Sequence, residues 1–185
     1  MEENLNFGQL INSYQTPSNN GVVEKYYFND ENSNGNSFGA LYTREEIVNY
    51  EDLNMFSFMD MKGICPSGWR LPNNEDFLSL FNYLGGFEIA GYKLKSSSGW
   101  SNKADGSSGN GNNSGGLNIL PSGYYSRGSN PEFKRIGEMA DIFFLYGDYR
   151  ETTQNYLSFY YEYDYVRGYI SNSSLRTYSV RCIKE

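Results

Sequence analysis

The sequence predicts an α+β domain over residues 1–185, built of short twisted antiparallel strands, two helices and long loops. Three observations lead there. The 185 residues suffice to bury one core, and no shift in composition divides them. Aromatic content is high, with 18 Tyr and 12 Phe beside abundant Gly, Asn and Ser, a mixture that suits short strands joined by many turns. Residues 73–84 carry a helical apolar stripe, whereas residues 157–165 alternate with period two.

Taken in order, Glu24-Lys25-Tyr26-Tyr27-Phe28 reads as a strand and residues 29–37 as a loop. Residues 44–53 carry Glu45, Glu46, Ile47 and Tyr50 at the spacing of a short helix with one apolar side. The clearest helix follows Leu71-Pro72. Asn73 caps its free amides, Glu75 and Asp76 complement its positive end, Phe77, Leu80, Phe81 and Leu84 form one stripe, and Gly85-Gly86 stops it. Residues 96–116 are mainly Gly, Ser and Asn, which bury too little apolar area to hold regular structure, and they read as a long surface loop. Leu117-Asn118-Ile119-Leu120 and Ile142-Phe143-Phe144-Leu145 read as buried strands, ended by Pro121 and Gly147. Alternation over residues 157–165 assigns Leu157, Phe159, Tyr161, Tyr163 and Tyr165 to the core face, and Ser158, Tyr160, Glu162 and Asp164 to the solvent face. Residues 167–172 read as a loop before a last, half-buried strand at Tyr178-Ser179-Val180-Arg181-Cys182-Ile183.

Two cysteines, Cys65 and Cys182, sit before a turn and near the end of the chain. A bridge between them would close a loop of more than 100 residues, worth about 4 to 5 kcal/mol in the chain-entropy account. Two buried free thiols are the alternative. A redox or metal role lacks both a Cys-x-x-Cys and any histidine. Fifteen basic against 22 acidic residues give a net charge of −7, which disfavours nucleic acid and anionic membrane as partners. No apolar run is long enough to span a bilayer, and Met1-Glu2-Glu3-Asn4 has neither part of a signal peptide, so the protein is either intracellular or separated from its export signal.

The order of segments resembles the Fibrobacter succinogenes major paralogous domain of exported proteins of Bacteroidetes and their relatives. The residues that carry the resemblance are Glu3-Asn4-Leu5-Asn6-Phe7-Gly8, Glu24 to Glu31, Gly39-Ala40-Leu41-Tyr42-Thr43 and, above all, Gly63-Ile64-Cys65-Pro66-Ser67-Gly68-Trp69-Arg70-Leu71-Pro72. It continues through Lys93-Leu94-Lys95-Ser96, Gly99-Trp100, Leu120-Pro121-Ser122-Gly123-Tyr124-Tyr125 and Tyr178-Ser179-Val180-Arg181-Cys182. The resemblance implies a C-type-lectin-like fold related to the formylglycine-generating sulfatase-modifying proteins. It also implies export to the outer cell surface as a lipoprotein, with Met1 in place of a removed leader. The oxidising setting in turn supports the Cys65–Cys182 bridge. Two departures stand out: Tyr27 occupies a position where many members carry an extra cysteine, and Ile142 to Gly147 replaces a Trp-Ser-Ser stretch.

Enzyme chemistry finds few means here. Without histidine there is no Ser-His-Asp or Cys-His machinery, and the cysteine pair of the formylglycine-generating relatives has no counterpart. A glycan hydrolase would have to use Glu162 and Asp164, about 7 Å apart on one strand face. Calcium, common in animal C-type lectins, meets Asn130-Pro131-Glu132 in reversed order and a loop in which Asp105 is the one carboxylate among several Asn. The expectation is therefore a monomeric domain that is not an enzyme and uses no cofactor and no metal.

What remains is binding. The stretch from Tyr146 to Tyr178 holds nine tyrosines with Asn155 and Arg176, a composition enriched in recognition surfaces. The expected ligand-binding set is Tyr146, Asp148, Tyr149, Arg150, Tyr160, Glu162, Asp164, Arg167, Tyr169 and Asn172. Its composition is similar to the repertoire of retroelement-diversified variable proteins, which share this fold group. An external protein or glycan is the expected partner, and the alternative is a structural envelope module with no ligand.

Overall fold

In a computed structural model of the chain, residues 1–51, 60–146, 154–171 and 175–185 are described. They form a mixed α+β fold closed by the Cys65–Cys182 disulfide, whose Cα atoms lie 5.9 Å apart. In the first third, β1 (Gln9–Leu10) and β2 (Glu24–Lys25) pair in parallel. The strand expected over residues 24–28 stops early, because Asn29 and Asp30 adopt φ of 56° and 58° and turn the chain through a 3-10 turn, Phe28–Asp30. The loop expected next is largely α1 (Asn32–Phe38). Its Asn-Ser-Asn-Gly-Asn-Ser sequence has poor helix propensity, but Gly35 lies so close beneath the Tyr27 ring that no Cβ fits there, and Asn34 Nδ2 donates to the Phe28 carbonyl at 2.8 Å. The next helix, α2 (Arg44–Ile47), is capped by Thr43, and the rest of the predicted helix continues as a turn and then leaves the described residues.

After β3 (Trp69–Arg70) comes α3 (Asn74–Leu84), as expected from its signals. Asn73 and Asp76 form a reciprocal capping box, Arg70 grips Asp76 at 2.6 and 2.8 Å, and Gly85 ends the helix in the left-handed region at φ 94°. A helix not expected, α4 (Phe87–Leu94), follows at once and packs Ala90 and Leu94 beside Phe77 and Leu84.

The main sheet has five strands, β4 (Ser122–Ser126), β5 (Glu132–Ile136), β6 (Met139–Phe143), β7 (Gln154–Tyr160) and β8 (Arg167–Ser171), in the order β5-β4-β6-β7-β8. Most pairings are antiparallel, as expected, but β4 meets β6 in parallel at Gly123 and Ala140. Several boundaries differ from the sequence reading. Residues 117–120 form no strand beyond a single bridge between Ile119 and Lys95. The strand expected at residues 142–145 begins three residues earlier, at Met139. Residues 167–171, expected as a loop, are an edge strand. The alternation through Tyr165 does not extend β7, which ends at Tyr160, so Tyr161 and Tyr165 are half-buried and Tyr163 is exposed rather than in the core.

Both faces of the sheet are covered. Ala140, Ile142, Leu157 and Phe159 pack against α3 and α4, while Phe143 and Tyr156 pack against Tyr178, Val180 and the disulfide. The chain end expected as a half-buried strand is buried from Thr177 through Cys182, and only β9 (Ile183–Lys184) joins a ladder, with β3.

The Gly- and Ser-rich segment 96–116 is not a slack surface loop. Lys95, with no exposed surface, sends its Nζ to the carbonyls of Gly109 at 2.7 Å, Tyr160 at 3.0 Å and Tyr163 at 2.9 Å, and lies 5.2 Å from the Trp100 ring centre. Burial lowers this ammonium to about 8, so it stays largely charged at neutral pH. The glycines are there for close approach: a Cβ on Gly109 would strike the Ser101 and Tyr161 carbonyls. The segment and the turn after β7 are thus one sutured unit. Among the described residues no helix is long and apolar enough to cross a membrane.

Candidate functional site

Register decides which side chains meet. Residues directly opposite each other across antiparallel strands share a face at about 4.5–5.5 Å, so Asp141, Ser158 and Arg167 form one row across β6, β7 and β8. Phe143, Tyr156 and Tyr169 form the row on one side of it, and Met139 with Tyr160 the row on the other. Tyr124 joins from β4, and Arg176 reaches in from the terminal segment, whose backbone pairs with Ser126.

Asp141 lies at the floor, with no exposed surface. Ser158 Oγ donates to its Oδ1, and Arg176 Nη1 stands 3.1 Å from its Oδ2. That contact is an ion pair without hydrogen-bond alignment, since Oδ2 has no hydrogen-bond partner and the same Nη1 donates to the Tyr156 hydroxyl at 3.1 Å. The guanidinium also stacks over Tyr124, 3.6 Å from the ring centre. Around it the rings meet in two groups: Tyr156 stacks on Tyr169 at 5.3 Å and leans on Tyr178 at 5.1 Å, and Tyr160 meets Tyr163 edge-on at 6.2 Å. Burial holds the Tyr156 and Tyr160 phenols above their ordinary pKa, so both stay neutral donors and acceptors.

Burial likewise pushes the Asp141 carboxyl up to about 6, against the pull of Arg176 and Ser158. For an acid whose pKa is raised on folding, the folded form holds the proton more tightly than the unfolded one. Stability from this group is therefore greatest below about pH 4 and falls as pH rises to about 6, by about 3 kcal/mol in all. Urea unfolding from pH 4 to 7 should show the stability of the native protein declining by that amount relative to Asp141→Asn. A difference that stays flat with pH would contradict it.

The residues expected at the site divide into four groups. Tyr160, Arg167 and Tyr169 lie together on this face. Glu162 and Asp164, expected to project from a strand, lie in the turn after β7 and are held by the 96–116 segment: Glu162 accepts from Ala104 N at 2.8 Å, and Asp164 pairs with Lys103 at 3.1 Å. Tyr146 packs against Phe144 on the helix side of the sheet. Asp148, Tyr149, Arg150 and Asn172 lie outside the described residues. Asp105, weighed for calcium, accepts from both the amide and the hydroxyl of Ser107. Among the described residues no three His, Cys, Asp or Glu gather as a metal ion would require.

Sequence reasoning missed Asp141 and Tyr124, assigned Ser158 to the solvent face although it is buried against Asp141, and named Tyr156 and Arg176 only as part of the tyrosine-rich stretch and not in the expected ligand-binding set. An acid directly before the apolar run Ile142-Phe143-Phe144-Leu145 was the available signal for Asp141.

Fold and face together define a disulfide-closed α+β domain that carries a tyrosine-rich face over a buried acid. Residues 1–184 match the Fibrobacter succinogenes major domain, and the chain belongs to that family. No curated protein and no solved structure matches it.

Proposed function

We propose that this chain is a non-enzymatic recognition domain that binds an external protein or glycan through the face of Tyr124, Tyr156, Tyr160, Tyr169, Arg167 and Arg176. It acts outside the cell, at the outer surface, as a single C-type-lectin-like domain over residues 1–185. It works as a monomer carried by an exported lipoprotein and needs no cofactor. The observation that carries this reading is convergence. Tyrosines from β4, β7 and β8 and an arginine from the terminal segment meet on one face around a buried acid, although they are spread over residues 124–176. Tyr gives large, rigid, amphipathic contact area at low entropic cost, and Tyr and Arg dominate binding hot spots. The disulfide supports an oxidising compartment. Diversification of this face by a retroelement belongs to the same proposal, and near-identical copies differing only at these positions would support it.

Glycan arrays and pull-downs with the isolated chain test the reading. Tyr160→Ala and Tyr169→Ala should each weaken binding on the order of tenfold or more, with the thermal midpoint measured alongside to separate lost contact from lost fold. Unchanged affinity in both variants would remove the face from consideration.

A further inference from the structure

Resting on the proposed recognition face, we infer that its ligand is an acidic saccharide, a short hydroxylated ring system bearing a carboxylate or sulfate. The charge that the fold leaves exposed is the reason. The sequence places two carboxylates, Glu162 and Asp164, among the tyrosines, and either would repel an anion. The fold partners both at the surface: Glu162, partly exposed, accepts from Ala104 N at 2.8 Å, and the charge of the exposed Asp164 is matched by Lys103 at 3.1 Å. The third acid, Asp141, has no exposed surface and faces Arg176. On β5, at the opposite edge of the sheet from Arg167, Lys134 is matched by Glu132 at 2.5 Å, and Arg135 is matched by Glu138 at 2.9 Å.

Arg167 is different. It is exposed, and among the described residues no carboxylate pairs with it. Its guanidinium lies 4.9 Å from the Tyr163 ring centre and 5.2 Å from that of Tyr165, and Nη2 donates to the Tyr165 hydroxyl at 2.6 Å. Stacking holds the planar fork in place and leaves further N–H donors for a carboxylate or sulfate. The rim therefore presents a fixed, exposed cation.

The rest of the face fits a sugar ring better than an acidic peptide. Over the buried Asp141 and Ser158, Tyr124, Tyr160 and Tyr169 keep partly exposed rings and Tyr163 an exposed one, and such ring surface pairs with a sugar ring that has hydroxylated edges and apolar faces. The chain's net charge of −7 repels long polyanions at a distance, but within about 10 Å screening hands control to the local cation. A short ligand with one or a few acidic groups meets both conditions.

Calorimetric titration of the whole chain against charged and neutralised pairs tests this: trigalacturonate with its methyl ester, 3′-sialyllactose with lactose, and a sulfated galactan trisaccharide with its desulfated form. At least one charged member should bind on the order of tenfold tighter than its neutral partner. Arg167→Gln should erase that ratio, whatever it does to the affinity common to both members of a pair, and added salt should narrow it. Equal binding of the paired sugars, an intact ratio in Arg167→Gln, no binding by any charged member, or tighter binding of an acidic peptide would each overturn the inference. If a neutral glycan or a protein binds in a manner dependent on Tyr160 and Tyr169, the recognition reading stands and only the acidic preference falls. If nothing binds through those tyrosines, both fall.

Discussion

Replacing Lys95 with methionine is expected to destabilise the fold by about 3 to 5 kcal/mol, because methionine fills the space but offers none of the three hydrogen bonds. The carbonyl of Gly109 in a buried contact and those of Tyr160 and Tyr163 in part-buried ones would lose their donor, and a buried acceptor without a donor costs about 1 to 3 kcal/mol. Relief of the ammonium's own burial offsets part of this. With ordinary domains stable by about 5 to 15 kcal/mol, such a loss takes a large share of the total. Denaturant midpoints would give the size, and amide exchange would give the place, since protection should fall first in residues 96–116 and in the turn after β7. A loss under about 1 kcal/mol would mean that water enters and satisfies those carbonyls instead.

Breaking the Cys65–Cys182 bridge should cost about as much. The half-cystines are 117 residues apart, and a loop of that size corresponds to about 4 to 5 kcal/mol of chain entropy in the unfolded state. The native side adds to it. Both sulfurs sit in the core with Ile64, Leu71, Tyr178 and Val180, and the neighbouring ladder between β3 and β9 is only two residues long. Without the link, the terminal segment that carries Tyr178 and Arg176 into the molecule keeps its buried packing and the hydrogen bonds of Arg181 to Asn4, Met1, Leu117 and Asn118, but loses its covalent tie to Cys65. A Cys65→Ala, Cys182→Ala double variant, or the native chain unfolded with and without reductant, should show the lower midpoint. Equal midpoints would mean that the terminal segment is held by its packing alone.

The parts of the fold that could be read in advance are those whose determinants are local. Asn73, Asp76, the stripe from Phe77 to Leu84 and Gly85 act within one helix, and each does in the structure what its residue type predicts. Where distant partners decide, the sequence misled. The helix Asn32–Phe38 exists because Gly35 fits beneath Tyr27, not because its Asn and Ser favour a helix. The helix Phe87–Leu94 was hidden by the double glycine before it and by small residues on its buried side; at Gly91 a Cβ would strike the carbonyl of Asp164. The alternation from Leu157 to Tyr165 gave the right face for Leu157 and Phe159 but the wrong end of the strand, because Lys95 draws the Tyr160 and Tyr163 carbonyls into a turn.

The candidate site divides along the same line. Tyr160, Arg167 and Tyr169 were legible as members of a tyrosine-rich stretch. Asp141, Ser158 and Tyr124 join them only through strand register and the pairing of Ser126 with Arg176, neither of which any short window of sequence contains. The same long-range contacts give Glu162 and Asp164 partners at Ala104 and Lys103, in the turn after β7 rather than on a strand face.

The suture at Lys95 bears on how freely this surface can change over generations. It grips only main-chain oxygen, and two of its three acceptors belong to Tyr160 and Tyr163, whose rings point elsewhere into the aromatic cluster. Substitution at either position alters what the surface offers to the outside yet leaves the carbonyl where the ammonium needs it. Inheritance can therefore rewrite the outward chemistry of this turn one side chain at a time, while a single internal lysine keeps its course unchanged.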